Sequence, residues 1–340
     1  MTSLEAGSAA REGILSSRSD AEVTVLPVSD GGEGMLDAFT AALGGTVRTV
    51  AAHDALGRPI VARYGVASET AIIESAEAAG LTLLAADERN PLTATTHGVG
   101  ELIRAAIEGG CRRLIVGLGG SATSDCGMGM LEALGVRIAD DSIDTTRFIG
   151  NSHDVEVIIA SDVNNPLYGP QGAAAVFAPQ KGATAEQVVV LDERARHFAA
   201  ICSRTMGRDC SSLPGAGAAG GMGYALMQFF GATMRAGADL LLDLLHFDTL
   251  VDGATMVVTG EGSADRQTLM GKLPYSIMRR AARHGVPTAL LAGRINDSDA
   301  LIDAGFAVVT SINPPEMPLA ECLRPETARR NLAATIATLI

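Results

Sequence analysis

Short apolar runs that end in glycine-rich polar loops recur along this chain, and they constrain its fold more than any other feature. Residues 114–118 read as a buried strand, and Gly119-Gly-Ser-Ala-Thr-Ser-Asp125 follows at once. Residues 256–259 precede Gly260-Glu-Gly-Ser-Ala-Asp-Arg-Gln-Thr-Leu-Met-Gly-Lys272 in the same way, and residues 155–160 precede Ser161-Asp-Val-Asn-Asn-Pro166. An unbroken apolar run suits a strand covered on both faces. After residue 260 the order continues with a helix at 274–284 and strands at 287–291 and 307–310. Strand, loop, helix and strand in that order call for a parallel sheet with helices on both sides. The expected fold class is α/β.

Earlier elements follow from local signals. Thr2-Ser-Leu-Glu5 is a capping box and predicts a helix through about residue 16. Strands are expected at 23–27, 46–50, 60–66 and 71–75, and helices at 35–43 and 187–203. Val99, Leu102, Ile103, Ala106 and Ile107 recur at helical spacing. Residues 140–154 read as irregular. An α/β chain normally opens on a strand, whereas here a helix comes first, so a strand is missing from the opening. The 340 residues suggest roughly two domains. The first 50 residues and residues 255–340 are expected to form one doubly wound unit, with 51–254 inserted in it.

Composition removes several functions. A formal charge of −13, with 4% aromatic residues and no Trp, gives neither attraction to a phosphate backbone nor stacking platforms, so nucleic acid is excluded as a partner. A charged fraction of 19% and 47% hydrophobic residues exclude disorder. No basic-then-apolar leader opens the chain. The uncharged stretch 210–234 holds Pro214 and six glycines, which describes a loop running into a helix better than a membrane span. Five cysteines without metal-site spacing fit free thiols, and the expected location is the cytoplasm.

The glycine loops are the candidate chemistry. At 119–125, backbone N–H groups and the next helix's N-terminus favour an anion, and Ser121, Thr123 and Ser124 offer hydroxyl donors. This loop does not match the GxxxxGK[ST] pattern. It does match GxGxxA at Gly117, Gly119 and Ala122, a weak dinucleotide fingerprint, which leaves a dehydrogenase as an alternative. Asp30-Gly-Gly-Glu-Gly34 and Asp162 follow strands and suit a metal ligand or a base. Lys181, in a Pro- and Gly-punctuated turn, suits a phosphate or carboxylate contact. The segment 214–223 is glycine-dense enough to admit a flat or anionic ligand closely. Asp265, Gln267, Thr268 and Lys272 bring acceptor, amide, hydroxyl and cation into one segment.

Taken together, Pro27-Val-Ser-Asp-Gly-Gly-Glu-Gly34, the loops at 119–125 and 161–167, Pro179-Gln-Lys-Gly182, the segment 214–221 and the run 260–272 resemble the type I glycerate kinase family over essentially the whole chain. The resemblance implies a flavodoxin-like parallel-sheet domain with a second α/β domain inserted in it. It also implies ATP- and Mg2+-dependent phosphorylation of D-glycerate, usually to 2-phosphoglycerate. ATP phosphates are then expected at Gly119, Gly120, Ser121, Thr123, Ser124 and Lys181, with Mg2+ on Asp162 and Asp30. Asp125, Asp265 and Lys272 are the expected catalytic residues, and Gly217, Gln267 and Thr268 the expected substrate contacts. Family members open on a strand and an Asp-Ser-Phe-Lys-Gly-Ser loop, which this sequence lacks. That departure makes a catalytically impaired glycerate- or nucleotide-binding homologue the alternative to a working kinase.

Overall fold

The computed structural model describes residues 1–29, 34–151 and 154–339. They cluster into two compact units, Gly31–Gly237 and Met1–Asp30 with Ala238–Ile340.

The larger unit, Gly31–Gly237, is built on a six-stranded sheet. Its strands in chain order are β1 (Thr46–His53), β2 (Pro59–Ala67), β3 (Thr70–Glu74), β4 (Arg113–Gly117), β7 (Glu156–Ala160) and β8 (Thr233–Arg235); β5 (Arg137–Ala139) and β6 (Ser142–Asp144) form a separate hairpin. The spatial order is β1-β2-β3-β4-β7-β8. β1, β2 and β3 pair antiparallel, whereas β3, β4, β7 and β8 run parallel. The apolar runs of β3, β4 and β7 are buried, as expected for strands covered on both faces. Val99, Leu102, Ile103, Ala106 and Ile107 line one side of the helix His97–Glu108 and pack with Ile73, Leu114 and Ile159. Each such Leu or Ile contributes about 1.5–3 kcal/mol by leaving water.

The smaller unit holds a parallel sheet of order β11-β10-β9, formed by β9 (Val257–Ala264), β10 (Thr288–Ile295) and β11 (Val308–Ser311). The helix Leu273–Arg283 joins β9 to β10. The opening helix Ser3–Ser17 has its capping box made: Thr2 N donates to Glu5 Oε2 at 2.7 Å and Glu5 N to Thr2 Oγ1 at 3.2 Å. It packs on the closing helix Pro325–Ala337 through Ala9, Leu332 and Ile336.

Four expectations change. Residues 23–27 are extended but join no ladder among the described residues; Leu26 and Val28 instead pack beside Phe247 and Ile277. Residues 137–144 form the β5–β6 hairpin, which their polar side chains conceal. β9 continues through Glu261 to Ala264, because β10 pairs with it that far, where a loop was expected from 260. The unit boundaries fall at 30/31 and 237/238 rather than at 50 and 254, since β1 pairs along its whole length with β2. No described helix is long and apolar enough to cross a membrane.

Candidate active site

The expected site residues fall into two groups, one in each unit. In the larger unit the C-terminal ends of β3, β4 and β7 stand side by side, with Glu74 opposite Gly117 and Gly117 opposite Ala160. Loops leaving that end of a parallel sheet are where α/β folds hold their ligands.

Residues 118–127 leave β4 there. Gly120 is exposed, with φ 69°, whereas Ser121, Thr123, Ser124 and Asp125 are buried. Backbone bonds stitch the loop to its surroundings: Leu81 N donates to Gly120 O at 2.8 Å, Ala122 N to Ala79 O at 2.7 Å and Cys126 N to Gly220 O at 3.0 Å. Exposure in this loop is therefore concentrated at Gly119 and Gly120, and Ser121, Thr123 and Ser124, whose hydroxyls were expected to meet phosphate, are buried. Ser121 Oγ accepts from Lys181 Nζ at 2.9 Å, and Thr123 Oγ1 is buried without a hydrogen-bond partner among the described residues.

Lys181 comes from a single 3-10 turn, Pro179–Lys181, and its ammonium also donates to Thr123 O at 2.6 Å. Burial pushes its pKa down to about 7, and Asp125 pulls it the other way. Asp125 is engaged on every side. Its Oδ2 accepts from Thr96 N and Thr96 Oγ1, both at 2.8 Å, and from Gly129 N at 3.2 Å, while Oδ1 accepts from Gly127 N at 3.0 Å. Burial nevertheless holds its pKa above the usual range. A carboxylate so surrounded holds the N–H groups of the loop and of Thr96 in place, a structural role beside the catalytic one expected of it.

The segment 214–223 backs this loop. Ala219, Gly220 and Gly221 are left-handed in succession, breaking the helix Ala218–Phe230. A Cβ on Gly220 would sit 2.1 Å from Thr123 O. Gly217, expected on substrate, donates its N–H to Asn165 O at 2.9 Å. Asp162 is exposed just beyond β7. Asp30, its expected companion, lies outside the described residues, as do Gly31 to Glu33. The helix Met128–Ala133 begins well past Ala122, so no helix starts within the Gly117-x-Gly-x-x-Ala122 match, as a dinucleotide fingerprint requires.

Glu74 was not expected. It closes β3 and receives Leu36 N at 3.1 Å and Gly34 N, holding the start of the helix Met35–Ala42, and burial raises its pKa. An acid ending an apolar strand was the available signal.

In the smaller unit, Asp265 caps a 3-10 turn, accepting from Gln267 N at 2.7 Å, while its own N–H meets Thr268 Oγ1 at 3.1 Å. Thr268 Oγ1 donates to Glu261 Oε1 at 2.6 Å, and Lys272 Nζ to Glu261 Oε2 at 3.3 Å. Glu261 thus holds two of the expected residues, Thr268 and Lys272, although sequence reasoning passed over it. Lys272 is the N-cap of the helix Leu273–Arg283, where a cation and a helix N-terminus favour an anion together. Among the described residues, no three His, Cys, Asp or Glu side chains gather to hold a metal.

Comparison with known proteins gives consistent results. The model of the glycerate kinase family matches residues 1–340. Glycerate kinase of Bacillus subtilis (strain 168) is 39% identical, with 99% of this chain and 94% of that protein covered. Glycerate 2-kinase of Escherichia coli K12 is 38% identical, with 94% and 90% covered. The solved structure described as glycerate kinase 2 from Salmonella typhimurium LT2 superposes with a TM-score of 0.89 at 36% identity, covering 100% of this chain and 93% of the other. A whole-length family match, with relatives above one-third identity and the same fold, leads to one conclusion: the chain belongs to the glycerate kinase family.

Proposed function

We propose that this chain transfers the γ-phosphoryl group of ATP to D-glycerate, giving 2-phosphoglycerate, as a cytoplasmic step of organic-acid catabolism. The observation that carries the reading is the loop at 118–127, which presents Gly119 and Gly120 at the C-terminal end of β4 in a chain of this family. Glycine at those positions lets backbone N–H groups approach phosphate oxygens. Phosphoryl transfer demands positioning and charge neutralisation more than covalent chemistry.

Lys272, at a helix N-terminus, takes an anionic group of glycerate or phosphate in this reading. Asp265 receives the proton of the attacking hydroxyl, and Gln267 contributes an exposed amide. Mg2+ commonly takes only one or two protein carboxylates, leaving its other positions to water and phosphate. The exposed Asp162 suits that habit, and Asp30 is the second proposed ligand. When bound, the ion offsets phosphate charge.

An assay coupled to enolase without phosphoglycerate mutase tests the reading, since enolase consumes 2-phosphoglycerate alone. ATP and D-glycerate should give the enolase signal. ADP release without it assigns the 3-hydroxyl, and no ADP release assigns a binding homologue. D162N and D265N should each lower kcat at least about tenfold, roughly 1.4 kcal/mol; smaller losses remove the assigned roles.

A further inference from the structure

Lysine occurs at only two positions in this sequence, 181 and 272. Placing one of them, with 3% exposure, beneath a glycine loop is costly and needs a return. Its ammonium reaches across 60 residues of sequence to Ser121 Oγ and across 58 to Thr123 O. Those two bonds bracket the loop's buried half, while Asp125 ties the following turn to Thr96. Gly182, with φ 97°, completes the turn that delivers the lysine. We propose that Lys181 is a positioning residue: it sets the shape of the 119–124 loop from inside, with Asp125 as its counter-charge, and does not itself touch the nucleotide phosphates. The proposal rests on the phosphate-loop reading above for its functional consequence, but not for its structural one.

The ammonium also gives the loop a positive charge that neutralisation removes. The charged group that acts on it is Asp125, from the same loop, and Arg89 lies behind the neighbouring Gly182, where a Cβ would stand 3.3 Å from the Arg89 Cβ. A neutral amine still donates two hydrogen bonds, so raising the pH removes charge before shape. Anion affinity should then fall as pH rises through neutrality.

Hydrogen–deuterium exchange over residues 118–127 of the whole chain, without nucleotide, compares wild type with K181M and S121A. Exchange should rise about tenfold in K181M and less in S121A, as expected for lost buried hydrogen bonds. KM for ATP should rise about tenfold in K181M, with kcat held within about threefold. The wild-type KM should climb towards alkaline pH, and that of K181M should stay flat. Unchanged exchange in K181M overturns the proposal. So does a hundredfold fall in kcat at unchanged exchange, which would make Lys181 a phosphate ligand. If K181M does not fold, S121A, which keeps the ammonium, carries the comparison, and unchanged exchange there overturns the proposal. Failure of ATP to protect the wild-type loop would reject the phosphate-loop reading while leaving the nucleotide-free comparison decisive for Lys181.

Discussion

At the scale of single residues, the larger unit's chemistry turns on buried groups with many partners. Asp125 satisfies the N–H groups of Thr96, Gly127 and Gly129, each of which would be left buried without an acceptor in D125A. An unmade buried bond costs about 1–3 kcal/mol, so urea unfolding should show D125A at least about 3 kcal/mol less stable than wild type. D125N keeps the acceptors facing Thr96 and sets an amide against Gly127 N, and should lose only about 1–2 kcal/mol. Because the folded-state pKa of Asp125 is raised, its contribution is largest at acid pH and declines as pH rises through that value. The advantage of wild type over D125N should narrow correspondingly in unfolding experiments at stepwise higher pH. A catalytic base would give the reverse emphasis, a large kcat loss in D125N at unchanged stability.

At the scale of elements, the break at Ala219, Gly220 and Gly221 joins sequence to site. Ala219 holds φ 51°, a left-handed conformation costing an L-residue about 1–2 kcal/mol. A219G should therefore raise the urea midpoint, less what glycine adds to the freedom of the unfolded chain. G220A should do the opposite and also raise KM for ATP, because its Cβ would press on Thr123 O. Elements set by neighbours in sequence were legible from it. The capping box of Thr2 with Glu5 spans three residues, and the face Val99, Leu102, Ile103 repeats within one helix. Elements needing a distant partner were not: residues 23–27 have strand composition without a ladder among the described residues, and 137–144 pair despite a polar composition. The site shows the same division. The position of the loop at 119–125 was readable from its glycines and flanking strand. The inward aim of Ser121 and the burial of Lys181 were not, because both depend on a contact 60 residues away.

At the scale of the whole molecule, the two units answer pH through different groups. In the smaller unit Arg280, 10% exposed, pairs with Asp243 at 2.7 Å and with Asp248. Arg280 holds Asp248 below the usual carboxylate range, so this stability is present above that range and is lost as pH falls through the lowered pKa. R280M should cost about 1–2 kcal/mol, given half-exposed partners, and should flatten the acid limb of that unit's melting curve in calorimetry. In the larger unit Asp54, tied to Arg58, has the same sign, whereas the raised pKa values of Glu74 and Asp125 oppose it. The stitching of residues 118–127 also carries a consequence in time. The loop's fasteners lie at Ala79, Leu81, Thr96, Lys181 and Gly220, so more than half of the chain must be made before the last one exists. Chains are released from the ribosome in order, N-terminus first. A nascent chain that has already exposed every glycine of this loop still lacks what holds it in shape. On the function proposed above, the loop would be ready for a nucleotide only once residue 220 has emerged.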